Sequence, residues 1–249
     1  MRRLSLALCA LILLAFVLPG QAFFFHRRSS GGGGGSIALT NTPTSCFINT
    51  AGATSLSVSS CVTNCTSNCF VIVDLITYGT NTSAHACDID GSTAINDVTA
   101  NEDDTLTEVY RAGEKAVTGT HTFNCTWTGS SKAAMVVSVW ENVNQTTPVV
   151  QNTCTDDGGT PNLLATLTLT GTTAGNVVTE ITNRESATAN TPTIGANQTQ
   201  VINNVTQNAA SNGRILGSYE AGGGNVTMSW SWTSSNRVWS MCAWELGQL

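Results

Sequence analysis

The stretch TMSWSWT, residues 227–233, alternates without a break. Met228, Trp230 and Trp232 fall on one side, and Thr227, Ser229, Ser231 and Thr233 on the other. Successive side chains of an extended chain point to opposite faces, so a period of two marks a strand with one dry and one wet face. The same grammar recurs in Leu163, Ala165, Leu167 and Leu169 against Thr166, Thr168 and Thr170. It recurs again in Phe123, Cys125 and Trp127 against Thr122, Asn124, Thr126 and Thr128. Strands of this kind are what an antiparallel sandwich is built from.

Two further runs, Phe70-Val71-Ile72-Val73 and residues 135–140, read as strands buried on both faces. Residues 106–111, 177–183, 200–206 and 238–246 are additional strand candidates. Turn signals separate them at Tyr78-Gly79, Asp90-Gly91, Thr128-Gly129, Asp157-Gly158-Gly159, Asn212-Gly213 and Gly222-Gly223-Gly224. Threonine is abundant and the long helix-forming residues are scarce. The expected fold is all-β: an antiparallel two-sheet β-sandwich, jelly-roll-like, with disulfides and roughly ten to twelve strands.

The order VIVDLITYG, TEVYRAG, TGTHTFNCTWTGSSKAAMVVSVWENVNQTTPV, LLATLTLTG and ILGSYEAGGGNVTMSWSW resembles a set of uncharacterised secreted and phage-associated β-sandwich domains. The resemblance covers residues 70–246. It implies the sandwich fold and carries no catalytic residues to transfer. Residues 37–69, with their cysteines, depart from the pattern.

Residues 1–22 have the form of a signal peptide: Arg2 and Arg3, an apolar run from Leu4 to Leu18, then Pro19-Gly20-Gln21-Ala22. That run is about 15 residues, short of the roughly 20 that span a bilayer. Residues 23–36 read as a flexible linker around Gly31 to Gly35, and residues 37–249 as a single β-sandwich domain. Cys9 leaves with the leader. Eight cysteines remain: Cys46, Cys61, Cys65, Cys69, Cys87, Cys125, Cys154 and Cys242. An even set behind an export signal predicts disulfides, with Cys46 to Cys69 linked partly among themselves and the others stapling loops to strands. The implied localisation is secreted, extracellular or cell-surface, with a periplasmic location the bacterial equivalent.

Four of the ten Lys and Arg precede Ser36 and none of the sixteen Asp and Glu does, so the domain is acidic, near −10. An acidic surface without a basic patch argues against nucleic acid as a partner. Seven Asn-x-Ser/Thr sequons, at Asn64, Asn81, Asn124, Asn144, Asn197, Asn204 and Asn225, are no more than a chain this rich in Asn, Ser and Thr yields by chance.

Candidate sites are few. Asp88-Ile89-Asp90-Gly91 resembles the opening of a calcium loop, with Glu102, Asp103 and Asp104 as spatial additions. The remaining ligands and the closing Glu do not follow, so Asp88 and Asp90 stand as candidate metal residues and no cofactor is otherwise implied. Trp239 and Trp244 fall on opposite faces of the last strand, which places at least one toward solvent, where an indole would stack on a sugar. Glu141 follows Trp140 at a strand end and completes the candidate ligand set. Thr166, Thr168 and Thr170, like Thr118, Thr120 and Thr122, resemble the flat arrays of ice-binding proteins, although Thr is also the natural residue for an uncharged wet face.

No Gly-x-Ser-x-Gly elbow is present, and the three His (His26, His85, His121) assemble neither a zinc trio nor a catalytic triad. The sequence favours an exported non-enzymatic sandwich with a structural, adhesive or glycan- or protein-binding role. The alternatives are a jelly-roll carbohydrate-active enzyme using Glu141 with Glu108 or Glu180, and a self-assembling filament or coat subunit, for which long unpaired sheet edges would be the sign.

Overall fold

Strand-forming residues dominate, and the described chain is almost wholly antiparallel β with one short 3-10 turn at Pro43–Cys46. A computed structural model describes residues 35–63, 65–78, 83–93, 98–104, 107–116, 119–157, 162–185, 191–205, 213–233 and 238–249. The signal peptide read at residues 1–22, the linker through residue 34, Thr118, and the turn residues Gly79, Gly158, Gly159 and Asn212 lie outside these.

The strands are β1 (Ala38–Leu39), β2 (Phe47–Thr63), β3 (Cys69–Tyr78), β4 (Ser83–Ile89), β5 (Ser92–Thr93), β6 (Val98–Asp104), β7 (Thr107–Ala116) and β8 (Gly119–Glu141). They continue with β9 (Val149–Asp156), β10 (Leu164–Thr172), β11 (Val177–Glu185), β12 (Thr193–Ile194), β13 (Thr199–Val205), β14 (Gly213–Ala221), β15 (Gly224–Ser231) and β16 (Trp239–Leu246). The first sheet has the order β5-β4-β8-β3-β7-β6, with β1 and β2 also pairing along β8. The second has the order β13-β14-β11-β16-β9, and the third β10-β15-β12.

From β9 onward the chain passes back and forth between the second and third sheets, which winds a sandwich. The first sheet, made entirely from β1 to β8, lays β6 and β7 against β9, β11 and β16. Strand β10 packs on the other side of β16. The second sheet is therefore a middle layer, and its central strands β11 and β16 are dry on both faces. Gly34–Leu249 form one compact unit.

Alternation along β11 and β16 divides two cores. Val177, Ile181, Cys242, Trp244 and Leu246 meet Phe70, Ile72, Ile76, Val136 and Trp140 of the first sheet. Val178, Trp239, Met241 and Ala243 meet Ala165, Leu167, Leu169, Met228, Trp230 and Trp232 of the third. A third core lies within the first sheet, because β8 is long enough to serve two halves of it. Phe123, Cys125 and Trp127 in its first half cluster with Met135, Val137 and Val139 in its second, and with Val71, Val73 and Leu75 of β3. The pairing of β2 with β8 shifts register near the bend, beside Gly129 at φ 86°. Thus both faces of residues 70–73 are dry: Phe70 and Ile72 face the middle sheet, and Val71 and Val73 face the first sheet's own core. The layers approach closely at Gly113, where a Cβ would meet the Phe70 ring and would lie 2.7 Å from Trp244 Cζ3.

The eight cysteines from Cys46 onward are all paired: Cys46–Cys61, Cys65–Cys69, Cys87–Cys125 and Cys154–Cys242. The lead-in cluster is closed on itself by the first two. The other two do not hold loops to strands. Cys87 sits directly opposite Cys125 across β4 and β8, and Cys154 opposite Cys242 across β9 and β16. Directly opposed antiparallel residues already bring their Cβ atoms to about 4.5–5.5 Å, so these bridges lock the register of neighbouring strands.

Loop closure scales with the span bridged. The Cys154–Cys242 bridge closes 88 residues and Cys65–Cys69 only 4. We expect C154A/C242A to cost roughly 4 kcal/mol and C65A/C69A about 2 kcal/mol in urea unfolding. Equal costs would show that chain entropy is not what these bridges contribute.

Candidate functional site

The residues read as binding or catalytic candidates fall mostly inside. All six tryptophans are buried, at 5% exposure or less. Trp239 and Trp244 do lie on opposite faces of β16, but each face is covered by a different sheet, so neither reaches solvent. Trp239 Nε1 donates to Asn162 Oδ1 at 3.1 Å, and Trp232 Nε1 to the Asn162 carbonyl at 3.0 Å. Trp244 packs with Phe70 and Trp140. Glu141 sits at the end of β8, half-buried, with Thr66 Oγ1 donating to it at 3.4 Å. These three residues do not converge on a groove.

The carboxylates are likewise dispersed. Glu180 lies on the face of β11 that meets the third sheet, 1% exposed. It accepts hydrogen bonds from Ser218 Oγ at 2.6 Å, Trp230 Nε1 at 2.7 Å and Thr182 Oγ1 at 2.7 Å. Gln198 extends the network, donating to Ser218 Oγ at 2.7 Å and accepting from the Ser229 backbone N–H at 3.0 Å. Glu245, fully buried, accepts from Gln151 Nε2 at 2.6 Å, Asn176 Nδ2 at 2.7 Å and the Thr173 N–H at 2.8 Å. A buried carboxylate is tolerated when several donors replace its water, and both groups tie strands of the sandwich together in this way. Arg184, on the same face as Glu180, stacks its guanidinium 4.3 Å from the Trp232 ring centre. Glu141 belongs to the first sheet, so the middle sheet separates it from Glu180.

Asp88 and Asp90 frame the β4–β5 turn. Asp90 and Gly91 both take left-handed backbone angles, φ 54° and 73°, as a tight hairpin requires. Asp88 Oδ1 accepts from the Gly91 N–H and from Asn124 Nδ2, each at 2.9 Å. Asp90 Oδ2 accepts from His121 Nδ1 at 2.8 Å, and its Oδ1 from the Thr122 N–H at 2.7 Å. The hydrogen bond from His121, then that from Thr122, holds the Asp90 carboxyl below the usual carboxylate range. The side chains of residues 102–104 and of Glu108 lie outside the described part. Among the described residues no group of three His, Cys, Asp or Glu side chains is placed to hold a metal ion.

One surface is organised without charge: the outer face of the third sheet. Thr166, Thr168 and Thr170 of β10 are exposed on it, beside Thr227 of β15 and Thr193 of β12, with Ser229 and Ser231 half-buried. Thr168 stands opposite Thr227, their hydroxyls 2.8 Å apart, and Thr166 opposite Ser229. No residue of β10, β12 or β15 carries a charge. Pleat geometry spaces these positions by about 6.6–6.8 Å along a strand and about 4.8 Å between strands. Hydroxyls both donate and accept, and the Thr methyls add apolar contact. Such a face meets a neutral polar partner by hydrogen bonding without the salt dependence of ionic contacts.

Alternation in the sequence exposed this Thr row. The buried Glu180 and Glu245 networks were missed, because a lone Glu in a strand pattern gives no signal of how many donors will surround it. No family model, curated protein or solved structure matches this chain. Four disulfides suit a non-cytoplasmic, oxidising setting. Among the described residues no helix is long and apolar enough to cross a membrane.

Two outcomes follow from these networks. Glu180→Gln places an amide donor among three donors, and we expect a loss of about 1–3 kcal/mol in denaturant unfolding; an unchanged midpoint would refute the network's role. The lowered Asp90 pKa means its contribution is present above the unfolded carboxylate value near pH 4 and is lost as pH falls through the lower folded value. Melting temperatures of the native protein should therefore fall more steeply below about pH 4 than those of Asp90→Asn. Parallel curves would show that the pair adds nothing.

Proposed function

We infer that this chain is an exported, non-enzymatic β-sandwich with a structural or adhesive role at the cell surface or in the extracellular space. The outer face of the third sheet is its binding surface for a glycan or a surface protein. The observation that carries this reading is the contrast between the interior and that face. The indoles and the buried Glu180 and Glu245 are engaged in packing and hydrogen bonds, whereas an uncharged hydroxyl array stands on a disulfide-tied support. The leader-like residues 1–22 and the paired cysteines support export. The resemblance over residues 70–246 to secreted and phage-associated sandwich domains points the same way.

An indole stacking platform is not what a glycan would meet here, since all six Trp are interior. Recognition would run through hydroxyl-to-hydroxyl hydrogen bonds across Thr166, Thr168 and Thr227. The test is a glycan array and a surface-protein pull-down with the native protein and with T166A/T168A/T227A. Capture that the triple variant loses by about tenfold or more is the expected result. Capture of nothing, or capture unchanged in the variant, would refute the assignment of this face. Polysaccharide cleavage by the native protein that vanished in Glu141→Gln would overturn the non-enzymatic reading.

A further inference from the structure

Every sheet has edges, and an edge strand offers unpaired N–H and C=O groups to any passing strand. Most edges of this fold carry a recognised protection. Strand β6 bears Glu102, Asp103 and Asp104. Strands β5 and β12 are two residues each. Strand β2 shifts register three times against β8, and β13 shifts between Gln200 and Ile202. Strand β9 shifts opposite Glu245 and Leu246, and it packs beside β6.

Strand β10 has none of these over its main length. It reads LATLTLTGT across nine residues, without charge or proline, and its pairing with β15 runs unbroken from Leu164 to Leu169. Among the described residues its other side pairs with no strand. Leu163 and Leu164 at its start are exposed at 40% and 48%, and Val150 at 48% lies on β9, which β10 touches. An uncharged, Pro-free segment rich in β-forming residues is the kind that adds a strand.

The direction of the outward groups can be read from neighbours. Leu164 N–H donates to Asn162 Oδ1 at 2.9 Å, and the Thr170 carbonyl accepts from Gln151 Nε2 at 3.3 Å. In an antiparallel ladder alternate residues direct both backbone groups to the same side. The N–H and C=O of Thr166 and Thr168, in phase with these, therefore point away from β15.

We propose that β10 pairs antiparallel with β10 of a second copy of this chain, about a two-fold axis through Leu167. This takes the structural reading above further by naming the partner. The strand is self-complementary about that point. Thr166 falls opposite the partner's Thr168, and Ala165 opposite the partner's Leu169. Inner residues meet inner residues and hydroxyls meet hydroxyls, as Thr168 already meets Thr227 within the sheet. The contact is isologous, so it closes as a dimer. It joins two three-stranded sheets into one of six strands with a continuous hydroxyl face.

Sedimentation equilibrium of the oxidised protein from about 1 μM to about 1 mM reads the association directly. The mass should rise from one chain to two. T166K/T168K sets like charges directly across the new ladder and should weaken the dimer by about tenfold or more. Thr227→Lys places a charge on the same face one strand inward and should leave association unchanged. A monomer throughout would overturn the proposal. So would a Thr227→Lys protein as weakened as the edge variant, since stacking of faces would then be the contact. Should the double variant misfold, amide exchange of the native protein decides: the Thr166 and Thr168 N–H groups slow with concentration if the edge pairs, and unchanged exchange refutes it. A monomeric protein that still captured a glycan or protein partner would remove the dimer and leave the binding face standing.

Discussion

The central strands of the middle sheet are covered on both faces, and that constraint organises the rest. A strand with one wet face can discard its polar side chains into solvent; a strand with two dry faces cannot. All eight residues of β16 are buried, and Val177 through Arg184 of β11 are buried as well. Every polar side chain on those strands must find a partner within the protein or bear the cost of desolvation. The Glu180 and Glu245 networks are the consequence. Each gathers donors from strands and turns that are distant in sequence, so each also joins the second and third sheets. Asn183, fully buried on the face toward the first sheet, has neither amide atom partnered among the described residues.

The same constraint explains where the tryptophans went. On a two-layer sandwich, indoles on opposite faces of the last strand would send one outward. With three layers, Trp244 enters the core against the first sheet and Trp239 the core against the third. The surface left for recognition is then set by the outermost layer. Among the described residues the third sheet holds three strands, and its outer residues are mostly hydroxyls. Its lack of charge bears on both of its exposed features: the face is neutral, and the β10 edge carries no charged residue.

Much of the fold was legible in advance. The alternation at residues 227–233 matches β15, and the Leu and Thr alternation from Ala165 onward matches β10, because each has one dry and one wet face; Leu163, read with the dry face, is instead exposed ahead of the strand. The Asp90-Gly91 turn was legible because two left-handed residues in a row favour that dipeptide. The unbroken apolar run at residues 70–73 marked a strand buried twice, although nothing local said that one of its faces would meet a separate sheet. The closure of the Cys46 to Cys69 cluster on itself was legible, but the partners of the other four cysteines were not, since they depend on which strands lie side by side. Nor was the dispersal of the carboxylates, which depends on how the layers stack.

By itself, then, the sequence determined an all-β chain with wet and dry faces, eight cysteines for pairing, and an acidic charge balance. These are local properties: the period of the backbone pleat, the chemistry of a residue type, and a sum of charges. The tertiary structure alone decided that a third layer exists, that it dries both faces of β11 and β16, and that Cys87 opposes Cys125 and Cys154 opposes Cys242. Among the described residues it alone placed β10 at the edge of its sheet. The physical reason is that burial, register and edge position are relations between segments far apart in the chain, and no local pattern encodes which distant strand will arrive as a neighbour.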